Sequence, residues 1–124
     1  MRDYGHQTRI ALITYLERGE SVLAALASDD LDAVAHWMSL RKAAFHNFRA
    51  ADSIAKKSGY DVIQDDAMAA VVKRLRPINS NIEVQLESCK LRLERQVAKI
   101  VRARSAIRKY RSEPNGPEMI EQTV

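Results

Sequence analysis

The sequence predicts an all-α protein, an elongated antiparallel bundle of three to four helices with a long C-terminal helix. Three observations lead there. Turn formers are scarce, with 4 Gly and 3 Pro in 124 residues, and Ala, Leu, Arg and Glu, which favour helix, dominate the long runs between them. Aromatic residues make up only 6%, which suits an aliphatic, layered core. Apolar residues recur at alternating steps of three and four, the spacing that lines one face of a helix.

The first helix is expected from about Thr8 to about Ser28. Leu12, Leu16, Leu23 and Leu26 form its stripe, with Ile13 and Val22 alongside. Gly19 falls where the stripe expects an apolar side chain. Gly costs about 1 kcal/mol relative to Ala in a helix, so this position marks either a close helix–helix approach or a local kink. Ser28-Asp29-Asp30 is a start signal for the next helix, because an Asp side chain accepts from an unpaired N–H of the first turn. The second helix then runs from about Leu31 to Lys57. Its expected stripe is Leu31, Val34, Met38, Phe45 and Phe48, with Trp37, Ala44, Ala51 and Ile54 beside it. So short a connection folds the two helices back as an antiparallel hairpin.

Gly59 suits the left-handed conformation that follows many helix ends, and Lys56 and Lys57 complement the dipole there. A third helix from about Val62 to Leu75 would bury Val62 or Ile63, then Met68, Val71, Val72 and Leu75. Pro77 removes one backbone hydrogen bond. It either starts a fresh helix or kinks a continuous one. From Ile78 to Tyr110 there is neither Pro nor Gly, and two apolar lines share a face: Ile82, Cys89, Gln96, Ala103 and Tyr110, and Leu86, Leu93, Ile100 and Ile107. This last helix exceeds the first in length, so part of its stripe is expected to extend past the bundle. The organisation expected is one helical domain over 1–111 and a flexible tail over 112–124.

No apolar run approaches the roughly 18 residues of a membrane span, and Met1-Arg2-Asp3-Tyr4-Gly5 lacks the apolar stretch of a signal peptide. A cytoplasmic location is expected, with Cys89 as a buried thiol on the apolar seam. The net charge of +4 is unevenly spread. Residues 1–66 carry 8 Lys/Arg against 10 Asp/Glu, and residues 67–124 carry 12 against 6. Such a basic half fits nucleic acid, an acidic protein partner or a solvated helix face.

Catalysis finds little to work with. His6, His36 and His46 are scattered, and Asp32 with His36 shares a helix face but has no third ligand at suitable spacing. There is no phosphate-binding Gly-rich loop and no nucleophile elbow. A protein without catalytic activity, cofactor or metal is expected. Nucleic acid is the weaker partner class, because Tyr110 is the only aromatic that could stack on a base in the basic stretch. Beyond the main seam, Val84, Leu91 and Ala98 recur at seven-residue spacing, with Val97 and Val101 nearby. That arc is wider than one hairpin covers. It reads either as a helix buried on two sides or as a groove for a partner's amphipathic helix.

Ala27-Ser28-Asp29-Asp30-Leu31-Asp32-Ala33-Val34, followed by Leu40-Arg41 and Phe45, resembles the FliT/FlgN-type flagellar export chaperones. Leu75 through Leu86, with Ile78, Asn79, Asn81 and Ile82, resembles their second pattern, in which an Asn-bearing turn opens a long apolar helix. Ala106-Ile107-Arg108-Lys109-Tyr110 is similar to the end of that helix. The resemblance covers roughly residues 10–111; Pro77 and the basic last helix depart from it. It implies a cytoplasmic chaperone without ATPase activity that binds the amphipathic helix of a hook-associated or filament-cap substrate, prevents premature assembly and delivers it to the export machinery. The expected partner-binding residues are Val84, Leu91, Val97 and Val101, with Arg95 and Arg102 pairing client carboxylates at the rim. A basic-helix nucleic-acid regulator and a structural homo-oligomer are the alternative readings.

Overall fold

The computed structural model describes residues 4–111, and among these residues every regular element is a helix. α1 spans Tyr4–Ala27, α2 spans Leu31–Lys57 and α3 spans Ala69–Arg111, with single 3₁₀ turns at Val62–Gln64 and Asp66–Met68 between α2 and α3. The expected tail over 112–124 lies outside the described residues. The chain divides into two compact units, the first ending at Leu86 and the second beginning at Glu87. α3 contributes its residues up to Leu86 to the first unit and those from Glu87 to the second.

Local chemistry sets the α1–α2 hairpin. Asp29 takes a positive φ of 53°, a conformation Asp tolerates better than most non-Gly residues. Asp30 is the N-cap, its carboxylate accepting from the Ala33 N–H at 3.0 Å. α1 and α2 are the most closely packed pair of elements, and the buried residues of α2 are small. α1 buries Leu12, Leu16, Val22, Ala25 and Leu26, together with Thr8. α2 buries Val34, Ala44 and Ala55. This corrects the expected α2 stripe, because Leu31, Phe45 and Ile54 are exposed while Met38 and Phe48 are half-buried. Two helices that approach closely leave room for Ala between them and turn larger side chains to the margin.

Arg41 occupies a seam position of α2, seven residues after Val34 and three before Ala44. Its guanidinium lies 4.3 Å from the centre of the Tyr15 ring and donates to the Asn79 side-chain oxygen on α3. Its Nε is buried without a partner. Gly19 faces this group. A Cβ at Gly19 would sit 2.9 Å from Ile78 Cγ2, 3.4 Å from Arg41 Nε and 3.7 Å from Ile82 Cδ1. Close approach, rather than a kink, therefore explains the glycine.

The connection from α2 to α3 also differs from expectation. Gly59 has φ +87°, as the helix-end signal predicts. The helix expected from Val62 instead opens with the two 3₁₀ turns, capped by the side chains of Asp61 and Asp65. Capping competes with helix continuation here, because each carboxylate accepts an N–H two residues on. Val62, Met68 and Leu12 form a buried cluster, against which Val71, Val72 and Leu75 pack from α3. Ile63 is left exposed. Asp65 also accepts from Tyr60 Oη at 2.7 Å and from Arg9 Nη1 at 3.4 Å, which ties the connection to α1. The Tyr60 hydrogen bond, aided by the Ala67 N–H and Arg9, holds the Asp65 carboxyl below its ordinary pKa. Burial, then Asp65, pushes the Tyr60 phenol up.

α3 continues through Pro77 without a break. Pro77 and Lys73, whose carbonyl loses its helical donor, are both exposed. Water can satisfy that carbonyl, which lowers the cost of an interior proline.

Candidate partner-binding surface

Within the first unit, α3 is held to the hairpin by Ile78 and Ile82 at Gly19, by Asn79 at Arg41 and by an ion pair from Arg74 to Glu20. Here the seam is covered, and Ile82 is 2% exposed. In the second unit Cys89 is buried, in line with its expected place on the seam. From Lys90 to Arg111 every residue is exposed. Leu93, Ile100, Ile107 and Tyr110 continue the same heptad lines, yet range from 40% to 59% exposed. An apolar row of this length in contact with water makes this face a candidate interaction surface.

All six sequence-predicted site residues are exposed and on α3. Val84 belongs to the first unit and is 67% exposed. The other five lie in the second unit. At roughly 100° of helix rotation per residue, Leu91, Arg95, Val101 and Arg102 fall within an arc of about 120°. That arc is on the far side of the helix from Leu93, Ile100 and Ile107. Val97 borders the seam instead. The structure thus groups Leu91, Arg95, Val101 and Arg102 on one side, with Val97 about 40° of rotation from both Val101 and the seam residue Leu93. Leu93, Ile100 and Ile107 belong to the apolar stripe, part of which was expected to extend past the bundle, and all three are exposed. The signal for their exposure was the mismatch in helix length. A 43-residue α3 rises about 65 Å, whereas the 24 and 27 residues of α1 and α2 rise about 36 and 40 Å.

The electrostatics of the second unit are one-sided. Between Gln85 and Ser112 there are 9 Lys/Arg and 2 acids, Glu87 and Glu94. In the first unit an open depression of about 510 Å³ is lined by Tyr15, Met38, Ser39, Arg41, Lys42 and Phe45. It sits on the hairpin and involves none of the six residues. Among the described residues no three His, Cys, Asp or Glu side chains are grouped to hold a metal ion, and no helix is long and apolar enough to cross a membrane.

Compared with known proteins, the chain matches no family model, no curated protein and no solved structure.

Proposed function

We propose that the protein is a cytoplasmic export chaperone that holds the amphipathic helix of a flagellar, type III secreted substrate on α3. In this reading it keeps the substrate from assembling early and presents it to the export machinery. One observation carries the reading: the uninterrupted exposure of apolar side chains between Lys90 and Arg111. A helix that later buries its stripe in a filament needs a temporary apolar partner, and α3 offers an exposed apolar stripe against which it can pair. The client contacts are the seam residues Leu93, Ile100 and Ile107 with Val97 at their border, all exposed. Lys99 and Arg104, in the rows beside the seam, pair client carboxylates at the edge.

The test is retention of flagellar proteins from the source cell by the tagged chain, identified by mass spectrometry. Two variants are compared with the parent, Leu91→Asp with Val101→Asp and Ile100→Asp with Ile107→Asp. All four residues are exposed, so helicity by circular dichroism should be kept in both variants. A hook-associated or filament-cap protein should be lost from the eluate of the Ile100, Ile107 variant and retained by the Leu91, Val101 variant, whose changes lie on the other side of α3. Failure of the parent chain to retain any flagellar protein would refute the proposal.

A further inference from the structure

The residues beside the exposed seam say which helix can lie on it. In the heptad that places Leu93, Ile100 and Ile107 at one core position and Cys89, Gln96, Ala103 and Tyr110 at the other, the two bordering rows are fixed. From Lys90 to Arg111 these rows hold Lys90, Arg92, Lys99, Arg104 and Arg111, with Val97 and Ala106 between them, and no carboxylate. Glu87 and Glu94 fall at an outer position of the same heptad, away from the seam.

Bordering rows of paired helices face one another, and their charges decide which helices pair. Were a second copy of α3 to cover this seam in parallel and in register, Lys99 of each copy would face Arg104 of the other, and the remaining border cations would meet Gln85, Val97 and Ala106, never a carboxylate. In an antiparallel pair each row would face itself. Cation meets cation in both arrangements.

We infer that the seam from Leu93 to Tyr110 takes a helix from another protein with an apolar stripe bordered by Asp or Glu, and that its own basic borders disfavour a second copy of the chain. The inference rests on the reading of α3 as a helix-binding surface and names the chemistry of the occupant. Gln96, a polar residue within an apolar seam, favours one register over its neighbours, because a partner's polar side chain set opposite it satisfies its amide.

Two synthetic three-heptad peptides test it, both with Leu at the core positions. One carries Glu at every bordering position and the other carries Lys. Like charges on each peptide keep it from pairing with itself, and binding to the full chain is read by fluorescence anisotropy. The Glu-bordered peptide should bind about tenfold or more tighter than the Lys-bordered one at about 0.05 M salt, and the gap should narrow at about 0.5 M as charge is screened. Lys99→Glu combined with Arg104→Glu, both exposed, should shift the preference toward the Lys-bordered peptide with helicity unchanged. Equal binding of the two peptides, binding of neither, or a parent chain that sediments as a dimer at micromolar concentration would overturn the inference. Flagellar proteins retained despite equal peptide binding would remove the charge selection and leave the export-chaperone reading standing. A strong Glu preference without flagellar retention would do the reverse.

Discussion

Replacing Gly19 with Ala tests the packing at the centre of the first unit, and its magnitude follows from two opposing effects. In a free helix Ala is favoured over Gly by about 1 kcal/mol. Here the new methyl would lie 2.9 Å from Ile78 Cγ2. That carbon is attached directly to the β-carbon of a branched side chain, which has one strongly preferred rotamer in a helix, so it moves only with α3 or at a rotameric cost. Overpacking of this kind costs about 1–3 kcal/mol, which leaves Gly19→Ala destabilising by about 0–2 kcal/mol net. In an Ile78→Ala background the obstruction is gone, and the remaining neighbours stand at 3.4 and 3.7 Å. There the same substitution should stabilise by about 0.5–1 kcal/mol. The assay is a double-mutant cycle by urea unfolding followed with far-UV circular dichroism. A coupling of about 1–3 kcal/mol between positions 19 and 78 is expected. Equal stabilisation by Gly19→Ala in both backgrounds would show that α1 and α3 do not meet there.

Other outcomes follow from the same structure. Asn79→Leu removes the acceptor of a guanidinium whose Nε is already buried without a partner, and should cost about 2 kcal/mol in urea unfolding. Arg41→Met, which removes the charge and keeps the length, should change stability by less than about 1 kcal/mol; a larger loss would show that the charge itself is needed. The Asp65 carboxyl is depressed in the folded chain, chiefly by Tyr60. It therefore contributes stability that is present above the unfolded carboxylate pKa of about 4 and is lost as pH falls through the folded value. Asp65→Asn should flatten the acid limb of a stability–pH profile below about pH 4, and a profile identical to that of the parent would contradict the hydrogen bonds assigned to it. Cys89 is buried, so a maleimide should label the native chain about tenfold or more slowly than the urea-unfolded chain. Equal rates would place the thiol in solvent.

Much of the fold was legible because its signals are local. Asp30 and Gly59 bracket α2, and the helix observed between them has the limits those residues predict. The periodicity of α1 identified Leu12, Leu16, Val22 and Leu26, all buried, while Leu23 of the same stripe is half-buried and Ile13 beside it is exposed. What stayed hidden depends on tertiary distance. Weighing apolar bulk put Leu31 and Phe45 in the α2 stripe, whereas the close α1–α2 approach selects Ala44 and Ala55. Arg41 was not recognised as a seam residue, because neither the Tyr15 ring nor Asn79 is near it in sequence. The alternatives at Gly19 were separated only by the position of Ile78. Pro77 was ambiguous because its cost depends on solvent access to the turn before it. On the candidate surface, the heptad lines of α3 were visible in the sequence. That part of the stripe would extend past the bundle was expected from helix length, but the residue at which covered Ile82 gives way to exposed Leu93 was not, since periodicity alone carries no record of where a partner helix ends.

The most direct measurement is titration of the full chain with the C-terminal helix of a hook-associated or filament-cap protein from the same cell, using the Ile100→Asp, Ile107→Asp variant as control. The account predicts saturable binding with a Kd of about 10 µM or tighter, lost in the variant while its helicity is unchanged. No binding of any such helix at about 100 µM, or equal binding by the variant, would contradict the assignment of α3 as the client-holding surface.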